Sequence, residues 1–374
     1  MKFSDIPGLS EIKQQLIRSA KDGHIAHAQL FMGREGALNL PLAIAYATYL
    51  HCTERGKTDS CGACPACTKN LKYIHPDTHF VFPVSNVKAD KDEDRFKADT
   101  MKNWRSFLLE QPFGNLSDWT TYYGGEDKQA IISKDESREI VKTLSLKPFE
   151  SPIKVMIIWQ PEAMHSSAAN GILKILEEPP PNTFFLLVSN NSERLLTTIL
   201  SRTQHVLVPL LSDEDLDEFL TKQPGLEEQK RRKIVGDAEG NVRLALGLIE
   251  TEEENNLDRM AGWMRACFKR DYAALLLLMD EYHEADRLQQ QSLLHYTLTM
   301  MRESLLTISG ADSILRSRDA EQKFITDFSK VMTVNKIEKT NQLITQASYH
   351  LERNGSAKMI FLDLSLQLGK VMNS

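Results

Sequence analysis

The sequence predicts an α/β domain built on a buried parallel sheet and followed by all-helical segments, and three stretches carry that reading. Apolar "AQLFM" runs through "GREGALNLP" into apolar "LAIAYATYL", which gives a strand, a glycine-turned loop and a helix in order. Further on, the short apolar runs "KVMIIW" and "TFFLLVS" alternate with amphipathic stretches, as strands do when crossover helices cover both sheet faces. From about residue 257 the chain turns rich in Leu, Met and Gln at helical spacing.

A chain of 374 residues exceeds one ordinary core and, at roughly 100 to 200 residues per domain, implies two or three. Apolar residues make up 41% and charged residues 26%, the composition of a globular protein, and a net charge of −6 argues against a dominant nucleic-acid footprint. The opening "MKFSDIPGLS" lacks the basic and then apolar pattern of a signal peptide. No apolar run approaches the roughly 18 residues of a membrane helix, so a cytoplasmic location without membrane contact is expected.

The first loop looks like a nucleotide site with its contacts removed. A phosphate loop of the form G-x-x-x-x-G-K-[ST] needs a second glycine for close backbone approach, a lysine for the outer phosphates and a hydroxyl for magnesium. Gly33 and Gly36 are in place, but the three functional positions hold Leu38, Asn39 and Leu40. The frame is kept and the groups that would touch a triphosphate are apolar or neutral, so ATP binding by this chain is not expected.

Next come four of the five cysteines, Cys52, Cys61, Cys64 and Cys67, spaced C-x8-C-x2-C-x2-C. Two tight C-x2-C steps can fold thiolates around one tetrahedral ion, and zinc is the natural occupant. Reactive or paired cysteines are the alternatives. A reducing compartment and the lack of a histidine base in a catalytic arrangement speak against them. With four protein ligands there is no open position for water, which makes the site structural. His75 and His79 lie close in sequence, but four thiolates already suffice.

"HFVFPV" alternates as a strand closing on Pro83, after which a polar stretch of about residues 84–128 containing "KADKDEDRFKAD" reads as an insertion, a solvated helix or a mobile loop. Ser133 is placed to cap a helix, with Glu136 as its capping-box partner. "KVMIIW" follows as a strand. In a nucleotide site its end would carry an acidic pair for magnesium and water, but here it reads Trp159, Gln160, Pro161. Glu162 reads as a helix-entry charge. Ser166 or Ser167 then caps a helix whose core face is Ile172, Leu173, Ile175 and Leu176, stopped by the prolines at 179 to 181.

"HAQLFMGREG", the four-cysteine loop, "HPD", "SSAANGILKILEEPPPNTFFLLVSN" and "ERLLTTILSR" together resemble the clamp-loader branch of the AAA+ proteins, which includes the bacterial DNA polymerase III delta-prime and gamma/tau subunits. The resemblance covers most of residues 1 to 250 apart from the insertion. It implies a RecA-like α/β AAA+ domain over 1–208, a small helical lid over 209–256 opening at Ser212 with Asp215 as its capping partner, and a helical collar domain over 257–374. It further implies a non-catalytic subunit that assembles with gamma/tau and delta subunits and helps place a sliding clamp on primed DNA.

In that family an arginine of an "SRC" stretch reaches ATP held by a neighbouring subunit. The matching residue here is Arg202 in "LSRTQ", with Thr203 where the family has cysteine. A helix-end arginine paired with a local carboxylate is the alternative. Arg243 in "GNVRLALGLIE" matches the second sensor arginine and is read as structural. Two other functions stay in view: an active gamma/tau-like ATPase with a divergent loop, which would need Asn39 and Gln160 to replace charged groups, and a zinc-containing nucleic-acid-binding protein.

Overall fold

In the computed structural model the described residues are 1–85, 93–125, 128–250, 256–285, 287–311, 315, 319–352 and 355–373. They form two compact units, Met1–Ala245 and Leu246–Ser374.

The first unit is organised by a five-stranded sheet in the order β2-β3-β4-β1-β5, every neighbouring pair parallel. Its strands are β1 (Ala28–Met32), β2 (Thr78–Val81), β3 (Lys154–Trp159), β4 (Thr183–Ser189) and β5 (Gln204–Leu207). All six residues of β3 are buried, as continuous apolar runs between helical layers require. Helix α1 (Ser10–Lys21) precedes β1, and α2 (Asn39–His51), buried along its whole length, follows the glycine loop. After α2 come α3 (Pro65–Asn70), α4 (Glu93–Glu110), α5 (Leu116–Tyr122), α6 (Lys134–Ser145), α7 (Ser166–Glu177) and the single turn α8 (Thr197–Leu200). Ile172 and Leu176 of α7 sit in the core beneath the sheet, with Leu173 and Ile175 packed at its margin. Helices α9 (Asp213–Thr221) and α10 (Glu228–Ala238) follow in this unit, and α11 (Val242–Glu250) begins in it and runs past its last residue, Ala245.

Caps follow local chemistry with two corrections. Ser133 Oγ accepts from Glu136 N–H at 3.3 Å, and Ser212 Oγ accepts from Asp215 N–H at 3.1 Å, but neither carboxylate returns the bond that would complete a capping box. The cap of α7 is neither Ser166 nor Ser167. It is His165, whose Nδ1 accepts from Ser167 N–H at 3.3 Å, one residue earlier than hydroxyl preference places it.

The insertion is largely helical. Residues 86–92 and 126–127 of it lie outside the described residues, but α4 and α5 build a small aromatic core. Trp104, Phe107 and Trp119 are fully buried, and Trp104 stacks on Phe82 just after β2 with ring centroids 4.2 Å apart. Trp119 Nε1 donates to Pro83 O at 2.8 Å.

The second unit contains α12 (Asn256–Lys269), α13 (Tyr272–Glu284), α14 (Arg287–Ile308), α15 (Asp319–Ser329), α16 (Val334–Glu352) and α17 (Ala357–Met372). Trp263 and Tyr282 stack on Phe361 at 4.8 and 4.4 Å, and Trp263 Nε1 donates to Ser365 Oγ at 2.8 Å. Among the described residues no helix is long and apolar enough to cross a membrane.

Candidate functional site

In an open parallel sheet, ligands bind beyond the carboxyl ends of the strands. Here the loop after β1, Gln160 after β3 and Asn190 after β4 converge at that edge. The loop is fastened to the sheet by Gly33 N–H, which donates to Ser189 O at 3.2 Å. Both loop glycines are required by packing without any phosphate. A Cβ on Gly33 would meet Val208 O at 2.8 Å, and one on Gly36, whose φ is +86°, would meet the Asn241 side chain at 2.2 Å.

Asn39 stands where a phosphate-binding lysine would, and its amide turns inward. Asn39 Nδ2 donates to Ser189 O at 2.9 Å and to Asn190 Oδ1 at 2.7 Å. Glu162 does enter a helix, the short 3-10 turn Pro161–Ala163, and it also reaches across the sheet edge: its Oε1 accepts from Asn190 and Asn191 N–H at 3.0 Å each, and burial raises its carboxyl above the ordinary range. The cavity between the loop and Trp159 measures about 20 Å³, room for about one water.

Arg243 stands at the margin of the same cavity and pairs side-on with Asp118 of the insertion, through Nε to Oδ2 and Nη2 to Oδ1. Its fork is therefore committed to a carboxylate. Asn115, which caps α5, donates through Nδ2 to Glu35 of the glycine loop.

The four-cysteine prediction is matched in space. The sulfurs of Cys52, Cys61, Cys64 and Cys67 all lie within 4.8 Å of one another, and a tetrahedron with bonds of about 2.3 Å has edges of about 3.8 Å. Cys52 ends α2, and Cys64 caps α3 with Pro65 in its first turn. Backbone N–H groups point at the sulfurs: Cys61 N to Cys52 Sγ at 3.3 Å, Cys64 N to Cys61 Sγ at 3.2 Å and Cys67 N to Cys64 Sγ at 3.4 Å. Burial pushes the Cys52 and Cys67 thiols up. Burial acts the same way on Cys64, but hydrogen bonds from Thr53 and Cys67 outweigh it and bring that thiol down to about 6. The cluster could hold a metal ion, and its donor set fits zinc. His75 stands apart from it, its Nδ1 accepting from Asp77 N–H at 3.1 Å and its ring 4.2 Å from that of His51.

Arg202 lies at the end of α8, on the rim of an open cavity of about 670 Å³ that His27, Glu177 and Gln204 also line. Its Nε and Nη2 donate to Glu177 Oε1, and Nη1 donates to Thr198 O at 2.9 Å. The side chain remains 31% exposed and Glu177 46% exposed.

One residue of "HPD" has a role that composition does not reveal. Asp77 is buried and accepts three N–H bonds from the turn before β3: Phe149 at 2.6 Å and Glu150 and Ser151 at 2.8 Å. Burial alone would raise its carboxyl, but the three donors outweigh burial and hold it below the ordinary carboxylate range. Asp77→Asn retains one acceptor and turns an N–H₂ toward donors, so a loss of roughly 2 to 3 kcal/mol is expected in chemical denaturation of the full chain. Because the folded-state value is depressed, this stabilisation is present above the unfolded carboxyl value and fades as pH falls through the folded one. The variant should therefore lose less stability on acidification than the parent does.

The family described as DNA polymerase III, delta subunit, has a model that matches residues 8–211. The delta' subunit of DNA polymerase III from Bacillus subtilis (strain 168) is 25% identical over 242 residues, covering 65% of this chain and 59% of that protein. The gamma subunit from Buchnera aphidicola subsp. Acyrthosiphon pisum is 24% identical over 253 residues, covering 66% and 58%. The delta' subunit from Haemophilus influenzae is 26% identical over 279 residues, covering 74% and 71%. The chain thus spans less than two thirds of the length of the first two relatives. With more than half of its 374 residues matched by the family model, and with relatives on both the delta' and gamma sides, the chain belongs to the DNA polymerase III delta-subunit family of clamp-loader proteins.

Proposed function

We propose that this chain is a delta'-type subunit of a bacterial replicative clamp loader that neither binds nor hydrolyses ATP itself and offers Arg202 to ATP held by a neighbouring gamma/tau-type subunit. The observation that carries the first half is Asn39. Its amide is bonded to Ser189 and Asn190 beside a cavity of about 20 Å³, which supports the reading that this position offers a triphosphate neither a cationic reach nor much space. Trp159 and Gln160 add no carboxylate for magnesium or water, which weighs against the active-ATPase reading.

Arg202 supports the second half by its placement beside an open cavity and by the weakness of its present tie. A half-exposed ion pair such as that with Glu177 contributes about 0 to 1 kcal/mol, so a phosphate presented by a partner can displace the carboxylate at little cost. Within this reading the four thiolates hold a structural zinc, the partners are gamma/tau- and delta-type subunits, and the sliding clamp and primed DNA are reached through the assembled complex in the cytoplasm. Equilibrium dialysis of the purified chain against labelled Mg·ATP tests the first half. No binding is expected up to millimolar nucleotide, and stoichiometric binding at micromolar concentration would restore the active-ATPase reading.

A further inference from the structure

The insertion occupies the ground beside the glycine loop that a nucleotide and its sensor contacts would need. Asn115 bonds Glu35 of the loop, Asp118 takes both edges of Arg243 on α11, and the Phe113 ring meets Phe219 of α9 edge-on at 5.8 Å. Gly114 and Asn115 themselves line the residual cavity together with Asn39 and Asn190. Behind them Trp159, standing at the position of a lost carboxylate, packs on Trp104 of α4 with ring centroids 5.1 Å apart. Trp159, which stands in for a lost carboxylate, is thus part of the seat of the inserted segment.

We infer that residues Phe113–Asp118 act as a built-in ligand, standing where ATP would and tying the glycine loop to helices α9 and α11, so that this part of the chain holds one arrangement whatever the nucleotide concentration. The tie uses the contacts a nucleotide would offer: an acidic group for Arg243 and a polar group for the loop. Asp118 supplies the charge a phosphate would bring, and α5 is anchored by its own cap, since Asp118 Oδ2 also accepts from Asn115 N–H at 2.8 Å. The inference rests on the reading that this chain takes no ATP, and goes beyond it by giving the insertion a task.

Amide hydrogen exchange on the full chain tests the tie. Arg243→Gln removes the charge that Asp118 holds. Asn115→Asp keeps a good helix cap but sets a like charge against Glu35. In each variant exchange should accelerate by roughly ten- to a hundredfold, the loss of a charge-assisted contact, in both 34–40 and 115–122, with strands 28–32 and 183–189 unchanged. Acceleration confined to the substituted element, or none in a folded variant, overturns the inference while leaving the no-ATP reading intact. Millimolar Mg·ATP should leave the exchange of the parent chain unaltered; protection of 34–40 by ATP would sink both, and dialysis would identify that case separately.

Discussion

Arg202→Ala, in a loader reconstituted from this chain with gamma/tau- and delta-type partners, is expected to abolish clamp- and primer-stimulated ATP hydrolysis at the one site this subunit faces. A guanidinium supplied in trans to a splitting phosphate accounts for about 10³ to 10⁵ in rate. Loss of that group should remove one kinetic phase from single-turnover hydrolysis while assembly, followed by gel filtration, persists. Arg202→Lys should not restore the phase, because a lysine offers a point charge in place of a planar fork. Equal rates in an intact mutant complex would make Arg202 a surface arginine whose business is its pairing with Glu177.

Removal of metal from the cysteine cluster should be the largest perturbation of local structure. Zinc binding by four thiolates supplies on the order of 10 kcal/mol of apparent folding free energy to small modules near neutral pH. The purified chain is expected to contain one zinc per molecule by colorimetric titration, and Cys64→Ser to contain almost none. Chelation should open residues 53–63 to proteolysis. The first residues of the chain should loosen with them, because Asp59 of this loop accepts the N–H groups of Phe3 at 3.0 Å and Ser4 at 2.8 Å. A metal-free chain with an unchanged cleavage pattern would show that the sulfurs pack adequately without an ion.

What the sequence made legible was local. Strands β1, β3 and β4 are short apolar runs whose character does not depend on distant partners, and the two C-x2-C steps place three sulfurs within seven residues of chain. The serine caps at 133 and 212 bond the N–H three residues on, so their signal lies within a four-residue window. The missed features are those settled by distant partners or by less usual chemistry. Asn115 and Glu35 are 80 positions apart, and Asp118 and Arg243 are 125 apart, so nothing in a polar, mixed-charge stretch announces that it folds back onto the loop. Glu162 has the spacing of a helix-entry charge, and only the fold turns it toward Asn190 and Asn191. His165 caps α7 in place of the neighbouring serines because its ring nitrogen, and no hydroxyl, meets the second helical N–H.

The aromatic seat of the insertion also equips the molecule with an optical signal. Of four tryptophans, Trp104, Trp119 and Trp159 share one cluster, with Trp104 5.0 Å from Trp119 and 5.1 Å from Trp159. Indoles held close and at fixed angles in an asymmetric packing give intense aromatic dichroism, so the near-ultraviolet spectrum of the native chain should carry a strong tryptophan band. Any departure of α4 from the end of β3 would erase that band before the helices themselves melt, so the chain reports on the docking of its inserted segment without a label.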